Sequence, residues 1–167
     1  MDPERRGLST VANRYSAQWF DTFLATIPDK ATATEVAFVA RHLPVADFPK
    51  LLDLCCGPAR HACALAGLGY RVVGVDENEG VIRRARALCP GAEFRVGDMR
   101  ALDAPPGSFD AAINLWHSFG YFDDAGNRQF LDAVHRALRP GARFLIETHV
   151  VETILPRFQK QGWSRFG

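Results

Sequence analysis

From Leu51 onward the chain alternates short apolar runs with stretches of helical period, and an acidic residue sits at or just past the end of three of those runs. The runs are Leu51–Leu54, Arg71–Val75, Glu93–Val96, Phe109–Leu115 and Arg143–Thr148. The helical stretches between them are Arg60–Ala66, Glu79–Leu88 and Gly126–Leu138, with Gly or Pro after each: Gly67 and Gly69, Pro90-Gly91, Pro140-Gly141. Alternation of this kind predicts an α/β fold, doubly wound, with a mostly parallel sheet and helices on both faces. Right-handed crossovers then leave few topologies.

The region before Leu51 reads as helical. Val11–Ile27 places Tyr15, Trp19, Phe20 and Phe23 on roughly one face, and Pro28-Asp29 breaks it. A second helix is expected over Thr34–Leu43, stopped by Pro44. The chain therefore divides into an N-terminal helical segment (1–45) covering the ligand site, a core (46–150), and the start of an incomplete C-terminal part (151–167). In that last part Val151–Gln161 can form one helix.

The 167 residues suit one domain with a sizeable core. A net charge of +1 gives no field for drawing in nucleic acid, and Arg83, Arg84 and Arg86 read as a solvated helix face. No apolar run approaches the roughly 18 residues of a membrane span, and MDPERRGLST lacks the apolar centre of a signal peptide. Cys55, Cys56, Cys63 and Cys89 have no metal-site spacing. The expectation is reduced thiols in a cytoplasmic protein without a bound metal.

Ligands of open α/β sheets bind at the carboxyl ends of the strands. The first such end reads Asp53-Leu54-Cys55-Cys56-Gly57-Pro58-Ala59-Arg60, a turn of small residues leading into a helix N-terminus. Asp76 ends the second strand, where a carboxylate can accept from both hydroxyls of a ribose, with Glu77 beside it. Asp98 follows the third strand and can accept from an exocyclic amine such as that of adenine. Met99 offers a polarizable side chain to a base. Three carboxylates at successive strand ends suit an adenosine ligand bearing a cation better than a dinucleotide diphosphate.

LLDLCCGPARHACALAGLGYRVVGVDEN resembles motifs I and II of the class I S-adenosylmethionine (SAM)-dependent methyltransferases. VGDMRAL resembles their third motif, FDAAINLWHSFGYF their fourth, and LRPGARFLIET the strand after it. The resemblance implies a Rossmann-like sheet of order 3-2-1-4-5, with the final two strands of the family absent from this chain. It implies SAM as cofactor and S-adenosylhomocysteine (SAH) as product. Asp53 then lies near the methionine group, Cys55, Gly57 and Ala59 occupy the glycine turn, and Asp76 takes the ribose. Asp98 and Met99 take the adenine, and Leu115 in the Asn114–His117 stretch lies at the methionine end. Two of the family's loop glycines are replaced here, by Cys55 and Ala59, and a need for positive φ at Cys55 would make that replacement costly.

Methyl transfer from a sulfonium needs mainly alignment. Candidates on the acceptor side are His117 and Tyr121, with His149 a further histidine in reach. Arg60 is a candidate for a ligand carboxylate and Tyr15 for closure over the cofactor. SFGYFDD resembles members acting on small molecules, so a small-molecule acceptor is expected and no nucleic acid. The exposed last strand invites pairing, so a homo-oligomer through that edge is a candidate assembly. Two rivals remain. A non-catalytic SAM-binding module is favoured by the short C-terminal part, while an NAD(P)-dependent oxidoreductase lacks its G-x-G-x-x-G fingerprint here.

Overall fold

The computed structural model describes Thr22, residues 26–150, Glu152 and residues 155–157. The expected helix over Val11–Ile27, and Tyr15 with it, lies outside the described residues except at its end. The elements run α1 (Asp29–His42), β1 (Lys50–Leu54), α2 (Arg60–Gly67), β2 (Arg71–Asp76), α3 (Glu79–Leu88), β3 (Glu93–Val96), β4 (Phe109–Asn114), α4 (Asp124–Ala137) and β5 (Leu138–Ile146). All strand pairs are parallel, in the order β3-β2-β1-β4-β5.

Each strand sends alternate residues to opposite faces, and both faces are covered. Leu51, Val72, Phe94 and Ile113 pack against Val39 of α1 and Leu43 just past its end, Leu65 of α2 and Ile82 of α3. Leu52, Val73 and Ala112 pack on the other side against Phe130, Val134 and Ala137 of α4. This two-sided burial is why the strands read as continuous apolar runs. Tyr70, buried at the start of β2, donates its hydroxyl to the Leu43 carbonyl at 2.6 Å and so ties α1 to the sheet.

Three boundaries differ from the sequence expectation. Helix α1 starts at Asp29, not Thr34, because the extended Pro28 fixes the entry and no capping side chain marks it. Helix α4 starts at Asp124, since the Asp123 carboxylate accepts from the Gly126 amide at 2.8 Å and caps the turn. Strand β5 starts at Leu138, directly after α4. Leu138 pairs with Phe109 and Arg143 with Ala111, so the Pro140-Gly141 stretch bulges within the strand instead of preceding it. Arg139 pins the bulge by donating to Asp110 at 2.7 Å and to the Asp47 carbonyl at 3.1 Å. Beyond β5, Glu152 is helical and a 3-10 turn covers Leu155–Arg157; the rest of the helix expected over Val151–Gln161 lies outside the described residues. Among the described residues β5 has a strand partner on one side only.

Gly74, in the middle of β2, is required by crowding. A β-carbon there would stand 2.7 Å from Phe94 Cδ1 and 2.8 Å from Cys56 Sγ. Gly74→Ala should cost about 1–3 kcal/mol through overpacking, read as a lowered midpoint in urea unfolding. Because Cys56 belongs to the β1–α2 turn, the same substitution should also weaken whatever ligand that turn holds.

Candidate cofactor site

The carboxyl ends of β1, β2 and β3 lie side by side, and they bring Asp53, Asp76 and Asp98 to one edge of the sheet. Asp53 pairs in register with Gly74, and Asp76 with Val96, two residues before Asp98. The three sequence-predicted carboxylates therefore sit on neighbouring strand ends, with Asp76 close enough to act on the charge of Asp53.

Asp53 is 2% exposed, and its Oδ2 has no hydrogen-bond partner among the described residues. Burial, with the Asp76 carboxylate nearby as a second cause, pushes its carboxyl up to about 7. A buried acceptor without a donor is costly unless a ligand completes it. Once ionised, that oxygen needs a donor, and a cationic donor would lower the pKa again.

Asp76 shapes the turn as well as facing the site. Its Oδ2 accepts from the Gly57 amide at 3.0 Å and its Oδ1 from the Asn78 amide at 2.9 Å. Burial raises its carboxyl above the usual range, and those two amides pull against the shift. Each carboxylate oxygen has a second lone pair, so both can still accept a hydroxyl. Glu77 is exposed next to it. Asp98 is gripped by Arg100, whose guanidinium donates at 2.6 Å and 3.0 Å, and this bonding holds the carboxyl below its usual range. Arg100 lies in turn over the Phe122 ring at 4.2 Å. Nothing along the chain announces that grip beyond an arginine two residues away.

The turn keeps its shape without its full set of glycines. Gly57 has φ 54°, but Cys55 at φ 58° and Ala59 at φ 73° are also left-handed. A β-carbon in that region costs on the order of 1–2 kcal/mol. Both thiols donate locally: Cys55 Sγ to Met99 Sδ at 3.3 Å, and the buried Cys56 Sγ to the Gly57 carbonyl at 3.5 Å. Burial raises the pKa of both thiols, so they are protonated, inert side chains.

Past β4 the chain meets the opposite wall of the site. Leu115 is buried, and Trp116 and His117 follow in consecutive left-handed conformations, each at φ 63°. Strained backbone of this kind persists where contacts over-determine it. Here the Trp116 amide donates to Glu147 Oε2 at 3.1 Å and the His117 amide to the Glu147 carbonyl at 3.2 Å. The Trp116 indole donates to Glu35 Oε1 at 3.0 Å. His117 stacks on His149 with ring centroids 3.4 Å apart. Tyr121 is exposed on the loop before α4.

Glu35 is the residue the sequence reading missed. From α1 it also accepts from Arg60 at 2.6 Å and from His61 at 2.8 Å. Burial opposes its charge, but the bonds from His61, Trp116 and Arg60 outweigh that and hold the carboxyl low. Arg60 is thereby committed within the protein. It pairs with Glu35, donates to Thr32 Oγ1 at 2.8 Å and lies over the Trp116 ring at 4.5 Å. Desolvation keeps His61 below the usual histidine range, with the Arg60 charge adding to the effect.

The comparisons agree with this geometry. The family model described as a methyltransferase domain matches residues 51–141. A probable S-adenosylmethionine-dependent methyltransferase of Mycolicibacterium smegmatis is 33% identical over 98 residues, covering 59% of this chain and 37% of that protein. A demethylmenaquinone methyltransferase of Clavibacter sepedonicus is 36% identical over 100 residues, covering 58% of this chain and 40% of its own. The crystal structure of PH0226 protein from Pyrococcus horikoshii superposes with a TM-score of 0.71 at 27% identity, over 86% of this chain and 66% of that one. The chain spans between about a third and a half of the length of the curated relatives it matches. On the matched domain, the parallel sheet and the carboxylates at its strand ends, the chain belongs to the class I S-adenosylmethionine-dependent methyltransferases.

Proposed function

We propose that this chain binds SAM across the ends of β1, β2 and β3 and passes its methyl group in line to a small-molecule acceptor. The observation that carries the reading is the buried, partnerless Oδ2 of Asp53 beside Asp76. An ammonium donor such as that of a methionyl group fits that vacancy, and the open lone pairs of Asp76 fit a ribose. When bound, SAM supplies a methyl group already activated by its sulfonium charge.

The residues of the chain bind and orient. Asp53 takes the amino group, and its carboxyl then ionises fully. Asp76, with Glu77 at its side, takes the ribose hydroxyls while anchoring the Gly57 amide. Met99 packs on the base, and Asp98 exchanges a bond with Arg100 for one with the exocyclic amine. Leu115 excludes water at the methionyl end. His117 accepts a proton from the acceptor, and exposed Tyr121 contacts the acceptor from the loop before α4. Arg60 acts indirectly, holding α1 and Trp116 against the site. The name of the demethylmenaquinone relative supports a small acceptor. The four free thiols support a reducing, cytoplasmic setting, and the unpaired side of β5 supports self-association.

Calorimetry with SAM, SAH and NADH tests the reading. SAM and SAH should bind and NADH should not; tighter binding of NADH would overturn it. Asp76→Ala removes the ribose acceptor, the clasp on the Gly57 amide and the bond to the Asn78 amide ahead of α3. At about 1.5–3 kcal/mol per charged hydrogen bond, affinity for SAH should fall by roughly 100-fold or more.

A further inference from the structure

We propose that the methyl acceptor is an amine with an apolar body, its nitrogen held by Glu147 and deprotonated by His117, which His149 positions by stacking. The inference rests on the SAM-dependent reading above and names the substrate class of that site.

A groove of about 730 Å³ runs between α1 and β5. Phe38, Val39, Leu115 and Phe144 give it apolar walls, and Glu35 and Glu147 contribute its carboxylates. The volume suits a small organic molecule. The two carboxylates differ in one respect. Glu35 is neutralised by Arg60. Glu147 pairs with no cation among the described residues, and its Oε2 holds only the Trp116 amide. Arg143 also lines the groove, four residues before Glu147 along the chain, and its guanidinium donates to the His42 carbonyl at 2.6 Å and lies over Phe48 at 5.0 Å. The end of the groove beside His117 thus presents the Glu147 carboxylate with no cation paired to it, while the Arg143 guanidinium stands farther back along β5. A cation with apolar substituents complements it, whereas a carboxylate would be repelled.

An ammonium cannot attack a methyl group until it loses a proton, and the structure places a base for this beside Glu147. His117 follows Trp116 in the strained pair, and its amide is bound to the Glu147 carbonyl. Its Nδ1 is buried and unpartnered among the described residues, which leaves Nε2 to take a proton. The groups facing the ring are Glu147 and the stacked His149. Burial lowers the affinity of His117 for a proton, and the His149 ring lowers it further, against the pull of Glu147. The ring is therefore neutral at pH 7 and able to accept. The step balances. The ammonium proton passes to His117 Nε2 and on to solvent. The freed nitrogen lone pair forms the C–N bond as the methyl carbon–sulfur bond breaks, and the sulfur keeps that pair as the thioether.

Benzylamine and benzoate, alike in their ring and opposite in charge, are the probes. Each is titrated into the full chain loaded with SAH, with the imidazole signals of His117 and His149 followed by NMR. Benzylamine should shift both signals saturably and benzoate should not. Glu147→Gln should weaken benzylamine about tenfold, the equivalent of one charge-assisted bond. With labelled SAM, His149→Ala should move the acid limb of benzylamine methylation to higher pH, and His117→Gln should slow the reaction and leave only the limb of the amine's own deprotonation, at still higher pH. Preference for benzoate, or no response to either probe, sinks the amine assignment while leaving SAH binding intact. Failure of SAH to bind at all sinks the reading beneath it and this one together.

Discussion

Asp53→Asn should make the ligand-free protein more stable at pH 8 and a much poorer binder of SAM. In the folded chain the Asp53 carboxyl titrates near 7, because it is buried and faces Asp76, against 3.8 for the ordinary group. A raised pKa means the fold prefers the protonated form. Its contribution is fully present below pH 3.8 and is lost as pH rises through 7. At about 1.4 kcal/mol per pH unit, the ionised group opposes folding by up to about 4 kcal/mol above pH 7. Asparagine removes that opposition and flattens the pH dependence between 4 and 7. Chemical denaturation at several pH values reads the first effect. Calorimetry reads the second, an expected loss of about 30-fold or more in SAM affinity, from a charge-assisted bond of roughly 2–3 kcal/mol. An unchanged pH dependence in the variant would show that Asp53 is not the group responsible.

Glu35→Ala should be the more damaging of the two for the fold. One carboxylate receives Arg60, His61 and Trp116, and its side chain is 25% exposed while those of Arg60 and His61 are 17% and 9% exposed. Truncation leaves a guanidinium with only Thr32, and a buried imidazole and an indole without their acceptor. Breaking a largely buried pair costs several kcal/mol, so a loss of about 2–4 kcal/mol is expected in urea unfolding. Glu35→Gln keeps an acceptor for the indole and imidazole, and should lose less. Release of Trp116 from its left-handed conformation should also change the indole fluorescence and weaken acceptor binding. If the alanine variant unfolds at the wild-type midpoint, the hub carries no stability.

The strand ends were legible because they combine two local signals, an apolar run and an acidic residue where it stops. Asp53, Asp76 and Asp98 needed only the rule that parallel strands share one carboxyl edge. Helix α3 was legible to its limits, since Asn78 caps it with a 3.1 Å bond from the Val81 amide and Pro90 follows its end. The misses have one cause: the deciding partner lies far along the chain. Nothing near Glu35 announces Trp116, 81 residues later, because the contact exists only once α1 docks beside β4. The Arg60–Glu35 pair was equally illegible, because it forms by the same docking. Pro140-Gly141 punctuates like a loop, and only pairing of Leu138 with Phe109 makes it a bulge. The grip of Arg100 on Asp98 was as near in sequence as any contact, but an arginine on a loop has too many reachable acceptors for sequence to choose one.

The left-handed Cys55 and Ala59 have a consequence outside the folded molecule. Glycine wanders over more of conformational space than any other residue when the chain is disordered, and surrenders more on ordering. A side chain at these two positions narrows the disordered ensemble, an advantage of about 0.4–1 kcal/mol each. That offsets part of the steric penalty of a β-carbon, so the turn can shed two glycines for a modest net cost. What identifies such a turn is then the acid that clasps its amide from the neighbouring strand, not the glycine count.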